Sequence, residues 1–143
     1  MRVRNQEVAG SSQENVEIVR RLVDAFNRDD VRGVIAEFDE GCELDEPPEM
    51  PDRPAQGFRG HDGIREWMAN LREIGAIRFE PRSFRTSGDV VVSEWAASGE
   101  GQASGVRFEW TTFAVLRIRD GKVVRAQAFL SEDEALESAG LSN

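Results

Sequence analysis

The sequence has few of the residues on which small proteins rely for cross-links and metal sites. It contains one cysteine, Cys42, and one histidine, His61. A single cysteine excludes an internal disulfide, and these two residues give no pattern of metal ligands. We therefore expect no metal and no cofactor, and we interpret Cys42 as a small buried hydrophobic residue.

Basic residues are also scarce. The chain has 18 lysines and arginines against 27 acids, a net charge of -9. Nucleic acid and anionic membranes both require a basic face, so we expect neither as a partner; a small molecule that is not anionic, or another protein, fits this charge better. The sequence also lacks the apolar core of a signal peptide and any apolar run that could span a bilayer. These absences predict a soluble, cytoplasmic protein.

A length of 143 residues fits one domain with its own hydrophobic core. We expect a flexible segment over residues 1–10 and a single domain over 11–143. Apolar residues at helical spacing predict a first helix over about 12–28 and a short second helix that begins near 31. A third helix follows G-H-D-G, with His61 or Asp62 at its N-terminal cap.

The second half of the chain changes to a period of two. Strands are predicted at about 77–86, 90–98, 106–119 and 122–130, after an earlier strand over 42–46 and a proline-rich loop. Capping-box spacing at Ser131 and Glu134, with Gly140 after it, predicts a short C-terminal helix. The order predicts an α+β domain in which three N-terminal helices cover one face of a curved, mainly antiparallel sheet.

The last hairpin assigns side chains to faces. Asp120-Gly121 indicates a two-residue turn, and regular pairing beyond it places Arg125 and Gln127 on the inner, apolar face with Thr112. Polar groups on such a face need partners, and a ligand is one possibility. The outer face is too apolar to be simply solvated and predicts a homodimer surface of Phe113, Val115, Val124, Ala126 and Ala128.

The segment C-E-L-D-E-P-P-E, residues 42–49, contains four carboxylates. Strand alternation places Glu46 inward with Cys42 and Leu44, while Glu43 and Asp45 point outward. Glu46 is then either a general base in a pocket or a strand-end acid that reaches water. Burial would raise the pKa of Glu46, whereas a nearby Arg125 would lower that pKa.

Other candidates have two interpretations each. Arg125 could bind a ligand oxygen, or it could form a structural ion pair with Glu46 or Glu94. Trp67 and Trp110 lie on inner stripes, where they could pack the core or line a pocket. The periodicity does not decide which way Glu94 points.

Four motifs carry a family resemblance: F-N-R-D-D-V-R-G-V-I-A-E-F, F-R-G-H-D-G-I-R-E-W, R-D-G-K-V-V-R-A-Q-A-F-L and A-L-E-S-A-G-L. In this order and spacing, the chain resembles the nuclear transport factor 2-like superfamily, in particular its SnoaL-like branch. The resemblance implies a cystatin-like, cone-shaped α+β barrel with an apolar pocket, usually dimeric through the back of the sheet. It implies no single reaction.

Two activities in that superfamily allow a comparison residue by residue. The carboxylate base of the ketosteroid isomerases corresponds to Glu46, but the two hydrogen-bond donors for the enolate oxygen correspond to Leu22 and Ala114, which cannot donate. The acid and histidine of the polyketide cyclases have no counterpart among the inner residues of the late strands. The resemblance thus supports a base but neither complete mechanism.

Two functions agree with these residues. The first is a cofactor-free isomerase, cyclase or dehydratase for an apolar carbonyl or hydroxyl compound. In it Glu46 moves a proton and Arg125 or Gln127 holds the oxygen, within walls that include Trp67, Trp110 and Thr112. The second is a non-catalytic, dimeric module that binds a ligand or another protein. The missing donors favour the second function, and the inward acid favours the first.

Overall fold

Helices and strands follow one another in the predicted order in the computed structural model, which describes residues 2–50 and 54–141, with side chains from residue 12 onward. The helices are α1 Arg2–Asn27, α2 Val31–Ala36, α3 Gly60–Ile74 and α4 Glu132–Ala139. The strands are β1 Phe38–Asp45, β2 Phe58–Arg59, β3 Arg78–Ser87, β4 Val90–Glu100, β5 Arg107–Arg119 and β6 Lys122–Phe129.

The strands form one curved open sheet in the order β2-β1-β6-β5-β4-β3. Neighbouring strands are antiparallel except β1 and β6, which run parallel. Helices α1, α2 and α3 pack on the inner face, and α4 packs on the outer face of β4, β5 and β6. This arrangement confirms the predicted cystatin-like α+β fold.

Helix α1 buries the stripe that its periodicity indicates, which includes Ile18, Val19 and Leu22. The helix begins at Arg2, well before the predicted start near residue 12. The side chains of residues 2–11 are not described, and the predicted flexibility of residues 1–10 stays a prediction. The chain then turns at Asp29, and the Asp30 carboxylate caps α2 by accepting a hydrogen bond from Gly33 N.

The start of α3 differs from the prediction. Its N-cap is Arg59, whose side chain makes no capping hydrogen bond, and both predicted caps lie inside the helix. His61 Nε2 donates to the Phe38 carbonyl oxygen at 2.9 Å, and Asp62 pairs with Arg65 at 2.8 Å. His61 therefore ties α3 to the start of β1 and is not a cap.

The β5–β6 hairpin begins in the predicted register and then departs from it. Arg119 pairs with Lys122 and Ile118 with Val123, as expected, but the next pair is Arg117 with Arg125. Val124 is thus an extra residue, a β-bulge, and every later side chain of β6 changes face. The predicted inward positions of Arg125 and Gln127 are wrong.

The bulge also overturns the predicted dimer surface. Ala126 pairs with Leu116 and Ala128 with Ala114, residues of the buried inner face, so neither alanine lies with Phe113 and Val115. Part of the outer face is already covered, because Val90, Val92 and Val115 pack against Ala135 and Leu136 of α4. Dimerisation itself remains a prediction, without the surface first assigned to it.

Candidate functional site

A small cavity lies on the inner face, between α3, the end of β1 and the strands β3 to β6. Its volume is about 60 Å³. All three tryptophans of the chain line it. The described residues that line it are Glu46, Pro47, Met50, Trp67, Leu71, Phe79, Trp95, Trp110, Thr112, Ala114 and Ala128.

The walls of this cavity are a connected group of aromatic rings. The ring centroid of Phe79 lies 5.2 Å from that of Trp95 and 6.5 Å from that of Trp110. The Phe26 ring lies between Phe79 and Trp67, with centroid distances of 4.9 Å and 5.4 Å to them. These separations are typical of favourable ring contacts. The cavity therefore offers a mainly aromatic surface to any molecule inside it.

Glu46 directly follows β1, and its side chain lines the cavity. Of the acids in residues 42–49, Glu46 alone does so, as strand alternation predicts. Glu43 and Asp45 pair across the sheet with Arg125 and Gln127 of β6, on the outer face. Pro47, which is buried, ends the strand and turns the chain across the cavity. Within residues 2–50 and 54–141, Glu46 is the one acid in the wall.

Arg125 does not reach this cavity. Its guanidinium donates from Nη1 to Glu43 at 2.9 Å and from Nη2 to Asp45 at 3.4 Å, and Arg59 donates to the other oxygen of Glu43 at 2.8 Å. The expected pairing of Arg125 with Glu46 or Glu94 is wrong. Instead, Arg125, Glu43, Asp45 and Arg59 form a half-exposed network of ion pairs on the outer face of β1 and β6, and this network is structural in character.

Gln127 also faces away from the cavity, where its Oε1 accepts a hydrogen bond from Ser138 Oγ of α4 at 3.0 Å. Thr112 does line the cavity, as predicted, but its hydroxyl donates to the Phe129 carbonyl oxygen at 3.3 Å. Trp67 and Trp110 line the cavity too. Three of the four residues predicted to bind a ligand therefore line the cavity, and their role in binding stays a prediction.

Trp95, Phe79 and Met50 line the cavity but were not predicted to do so. Trp95 could have been found, because Val91 and Trp95 share one face of β4 and that face is buried. Its indole N–H donates to Ser93 Oγ at 2.8 Å, and Ser93 Oγ donates in turn to the Ser83 carbonyl oxygen at 2.8 Å. This chain of hydrogen bonds fixes the Trp95 ring.

The hydrogen-bond donors expected of a ketosteroid isomerase are missing. Leu22 is buried core, and Ala114 lines the cavity without a polar group. The indole N–H groups of Trp67 and Trp110 have no acceptor in the described part of the chain, where every fully buried side-chain nitrogen has a partner. Neither N–H group is therefore fully buried.

Glu94, whose direction the periodicity left open, lies on the outer face. It pairs with Phe113 of β5 and lines an open groove of about 460 Å³ with charged residues of β3 and with Glu109. This groove is on the opposite side of the sheet from Glu46. Glu94 is therefore not part of the aromatic cavity.

Cys42 lies within β1 and is buried. Burial raises the pKa of its thiol, and a hydrogen bond with the backbone of Gly60 opposes that rise. Within residues 2–50 and 54–141, no three histidine, cysteine or acidic side chains are grouped as metal ligands. No helix in that part of the chain is both long and apolar enough to cross a membrane.

Helices packed on one face of a curved sheet, with a cavity closed by a strand-end acid, define a cystatin-like α+β domain. The family model described as a SnoaL-like domain matches residues 19–126. The chain therefore belongs to the SnoaL-like domain family. No curated protein sequence matches it.

Solved structures support the same fold. A nuclear transport factor 2-like protein of Burkholderia xenovorans is 27% identical, with a TM-score of 0.71, covering 92% of this chain and 97% of that one. TerC, co-crystallised with polyporic acid, is 23% identical, with a TM-score of 0.74 over 90% and 97% of the two chains. A polyketide cyclase-like protein of Xanthomonas campestris is 17% identical, with a TM-score of 0.74 over 87% and 95%.

Proposed function

We propose that this domain binds a small apolar carbonyl or hydroxyl compound in the aromatic cavity, with Glu46 at the polar group of the ligand. One observation carries the proposal: among the residues that the structure describes, Glu46 is the single acid in a cavity wall made mainly of aromatic and aliphatic side chains. Ligand sites of proteins share this composition, with a mostly apolar lining and a few placed polar groups.

The chemistry that fits this wall is proton transfer without a cofactor, as in an isomerase, cyclase or dehydratase. A carboxylate at a cavity wall can accept a proton next to a carbonyl group. Trp67 and Trp110 line the same cavity, and their indole N–H groups are the donors we propose for the oxygen that gains charge. These two donors replace Arg125 and Gln127, which point away. They are the groups we assign to the ligand oxygen.

A non-catalytic binding domain is the alternative. It is favoured by the residues at the positions of the isomerase donors, Leu22 and Ala114, since loss of one donor from an oxyanion hole typically lowers kcat by about 10²–10³. The Thr112 hydroxyl is already used by Phe129, which removes another possible donor. The cavity would then hold a ligand without changing it.

Acetophenone distinguishes the two functions, because it is an apolar aromatic ketone whose methyl protons exchange when a base removes them. All three tryptophans line the cavity, so binding should change the intrinsic fluorescence. Deuterium exchange into the methyl group, followed by NMR, would measure proton removal. Polyporic acid, the compound crystallised with TerC, is a second ligand to test.

The matched variants are Glu46→Gln and Glu49→Gln. Glu49 is exposed, lies in the same loop and does not line the cavity. Exchange that is lost in Glu46→Gln and kept in Glu49→Gln supports catalysis. Binding without exchange in every protein supports the non-catalytic alternative, and no fluorescence change with any ligand contradicts the proposed site.

We further propose that the protein is a cytoplasmic homodimer and that neither nucleic acid nor membrane is its partner. The open part of the outer face, around Ala96 and Thr111, is the surface that α4 leaves uncovered, and it is the surface we assign to the dimer. Sedimentation at micromolar concentration should give twice the chain mass of 16.0 kDa. Thr111→Arg should shift the protein toward monomer, and a strict monomer in the unmodified protein contradicts the proposal.

A further inference from the structure

A second cavity lies next to the aromatic one, between the C-terminal ends of α1 and α3 and the start of β3. Its volume is about 420 Å³, whereas the aromatic cavity has about 60 Å³. Ligand pockets usually have about 300–1,000 Å³. The aromatic cavity alone is thus too small for most organic ligands, and the second cavity is of ordinary size. The second cavity is lined by Phe26, Asn27, Asp29, Met68, Leu71, Arg72, Gly75, Ala76, Ile77 and Arg78.

Side chains separate the two cavities. Leu71 of α3 lines both of them. Phe26 lines the second cavity and contacts Trp67 and Phe79, which line the first. A leucine and an aromatic ring can change rotamer without any movement of the backbone. We call the side chains of Leu71 and Phe26 the partition between the two cavities. The partition can therefore open while the helices and the sheet stay in place.

The surrounding backbone, in contrast, is tied firmly together. Asn27 bonds the backbone of Phe79 twice, donating to its carbonyl oxygen at 2.8 Å and accepting from its N–H at 3.0 Å. Arg72 pairs with Asp29 at 2.6 Å across the mouth, and Gln102 donates to the Arg72 carbonyl oxygen at 2.7 Å. The two Asn27 bonds join α1 to β3, and the exposed Arg72–Asp29 pair adds a weaker contact from α3 to the end of α1. Side-chain rotation is therefore the easier route to a larger site.

The second cavity changes in character along its length. Phe26, Met68, Leu71 and Ile77 form an apolar wall next to the partition, and the polar residues of the Arg72–Asp29 pair lie at the mouth. A molecule that extended from Glu46 past Leu71 would thus have an apolar body and a polar far end.

We propose that the ligand site continues past Leu71 into this second cavity and that it takes an elongated, largely apolar molecule. The carbonyl or hydroxyl group of that molecule lies at Glu46, and its far end reaches the mouth at Asp29 and Arg72. Leu71 determines the length of ligand that the site accepts. The inference rests on the proposed function, since it extends the same site.

Two ketones of different length test the extension: acetophenone, with one ring, and 4-acetylbiphenyl, which carries a second ring in line with the first. Affinities for both are measured by tryptophan fluorescence in the full chain, in Leu71→Ala and in Leu71→Phe. Leu71→Ala should bind the longer ketone about tenfold more tightly relative to the shorter one, because it removes the partition. Leu71→Phe should lower the same ratio by a similar factor, because it enlarges the partition.

Leu22→Ala is the control, since Leu22 is equally buried in the core and lines neither cavity. It should lower stability as Leu71→Ala does and leave the ratio of affinities unchanged. Leu71→Phe keeps a full side chain at the position, so it tests the proposal even if Leu71→Ala fails to fold. A ratio that is the same in the unmodified chain and in the Leu71 variants overturns the extension while leaving the proposed function intact. If neither ketone nor polyporic acid binds at all, the proposed function fails first.

Discussion

Arg117 of β5 lies directly opposite Arg125 of β6 on the outer face of the sheet. A regular hairpin would place Val124 there and would turn Arg125 into the apolar core. Burying the Arg125 guanidinium there would have a high desolvation cost. The bulge at Val124 avoids this cost, because it brings Arg125 beside Glu43 and Asp45, where its charge is paired and half exposed. The outer faces of β1 and β6 are joined by this charge pairing, and the inner face stays apolar.

Arg125→Met should have a small effect on stability and none on the chemistry of the cavity. Exposed ion pairs contribute about 0–1 kcal/mol, and the methionine keeps the apolar stem of the side chain. Urea denaturation should show a loss of about 1 kcal/mol or less, and acetophenone should bind as tightly as before. A large loss of ligand affinity would show that Arg125 acts on the cavity after all.

Ala126→Asp should unfold the protein rather than separate a dimer. Ala126 pairs with both Leu44 and Leu116 on the inner face, so the new carboxylate would be placed against the core without a partner. We expect a loss of about 2 kcal/mol or more in the free energy of unfolding, measured by urea denaturation. Ser87→Asp, at the exposed end of β3, is the control and should change stability by about 0.5 kcal/mol or less. Equal losses in the two variants would contradict the observed register.

The types of element and their order could be predicted from local pattern. The stripe of α1, the capping box at Ser131 and the Asp120-Gly121 turn each depend on residues close together in the chain, and the structure has all three features. The inward direction of Glu46 also follows from alternation within one strand, β1. These predictions needed no knowledge of which strands are neighbours.

The positions of Arg125 and Gln127 could not be obtained in that way. Their face depends on the bulge at Val124, and beyond it the outer residues of β6 meet those of β1, a strand far away in the chain. One local signal was available. An arginine on an otherwise apolar stripe has a high desolvation cost, and a shift of register by one residue removes it.

Ser93→Ala should disturb the aromatic cavity from a distance. Ser93 is fully buried, receives a hydrogen bond from the Trp95 indole and donates to the Ser83 carbonyl oxygen. Its removal leaves the buried indole N–H of Trp95 without its acceptor, which costs about 1–3 kcal/mol. We expect that loss in urea denaturation, together with a shifted tryptophan emission spectrum. Ser87→Ala, at an exposed strand end, should show neither effect.

Cys42 gives a prediction about pH. Burial raises the pKa of its thiol in the folded protein, so the unfolded chain ionises first as the pH increases. Above the unfolded pKa of about 8.5, the unfolded state binds fewer protons than the folded state, and stability falls with rising pH. Below that pH both states keep the proton, and the thiol adds no pH dependence.

The fall is measured by urea denaturation between about pH 7.5 and 10, and Cys42→Ala is the comparison because it keeps a small apolar side chain without the titrating group. The unmodified protein should lose more stability over this range than the variant does. In the folded protein the thiol should also react slowly with a disulfide reagent, and urea should release that reactivity. Equal pH slopes in the two proteins, with rapid reaction in the folded state, would show that the thiol is exposed and would contradict the packing of β1 against α3.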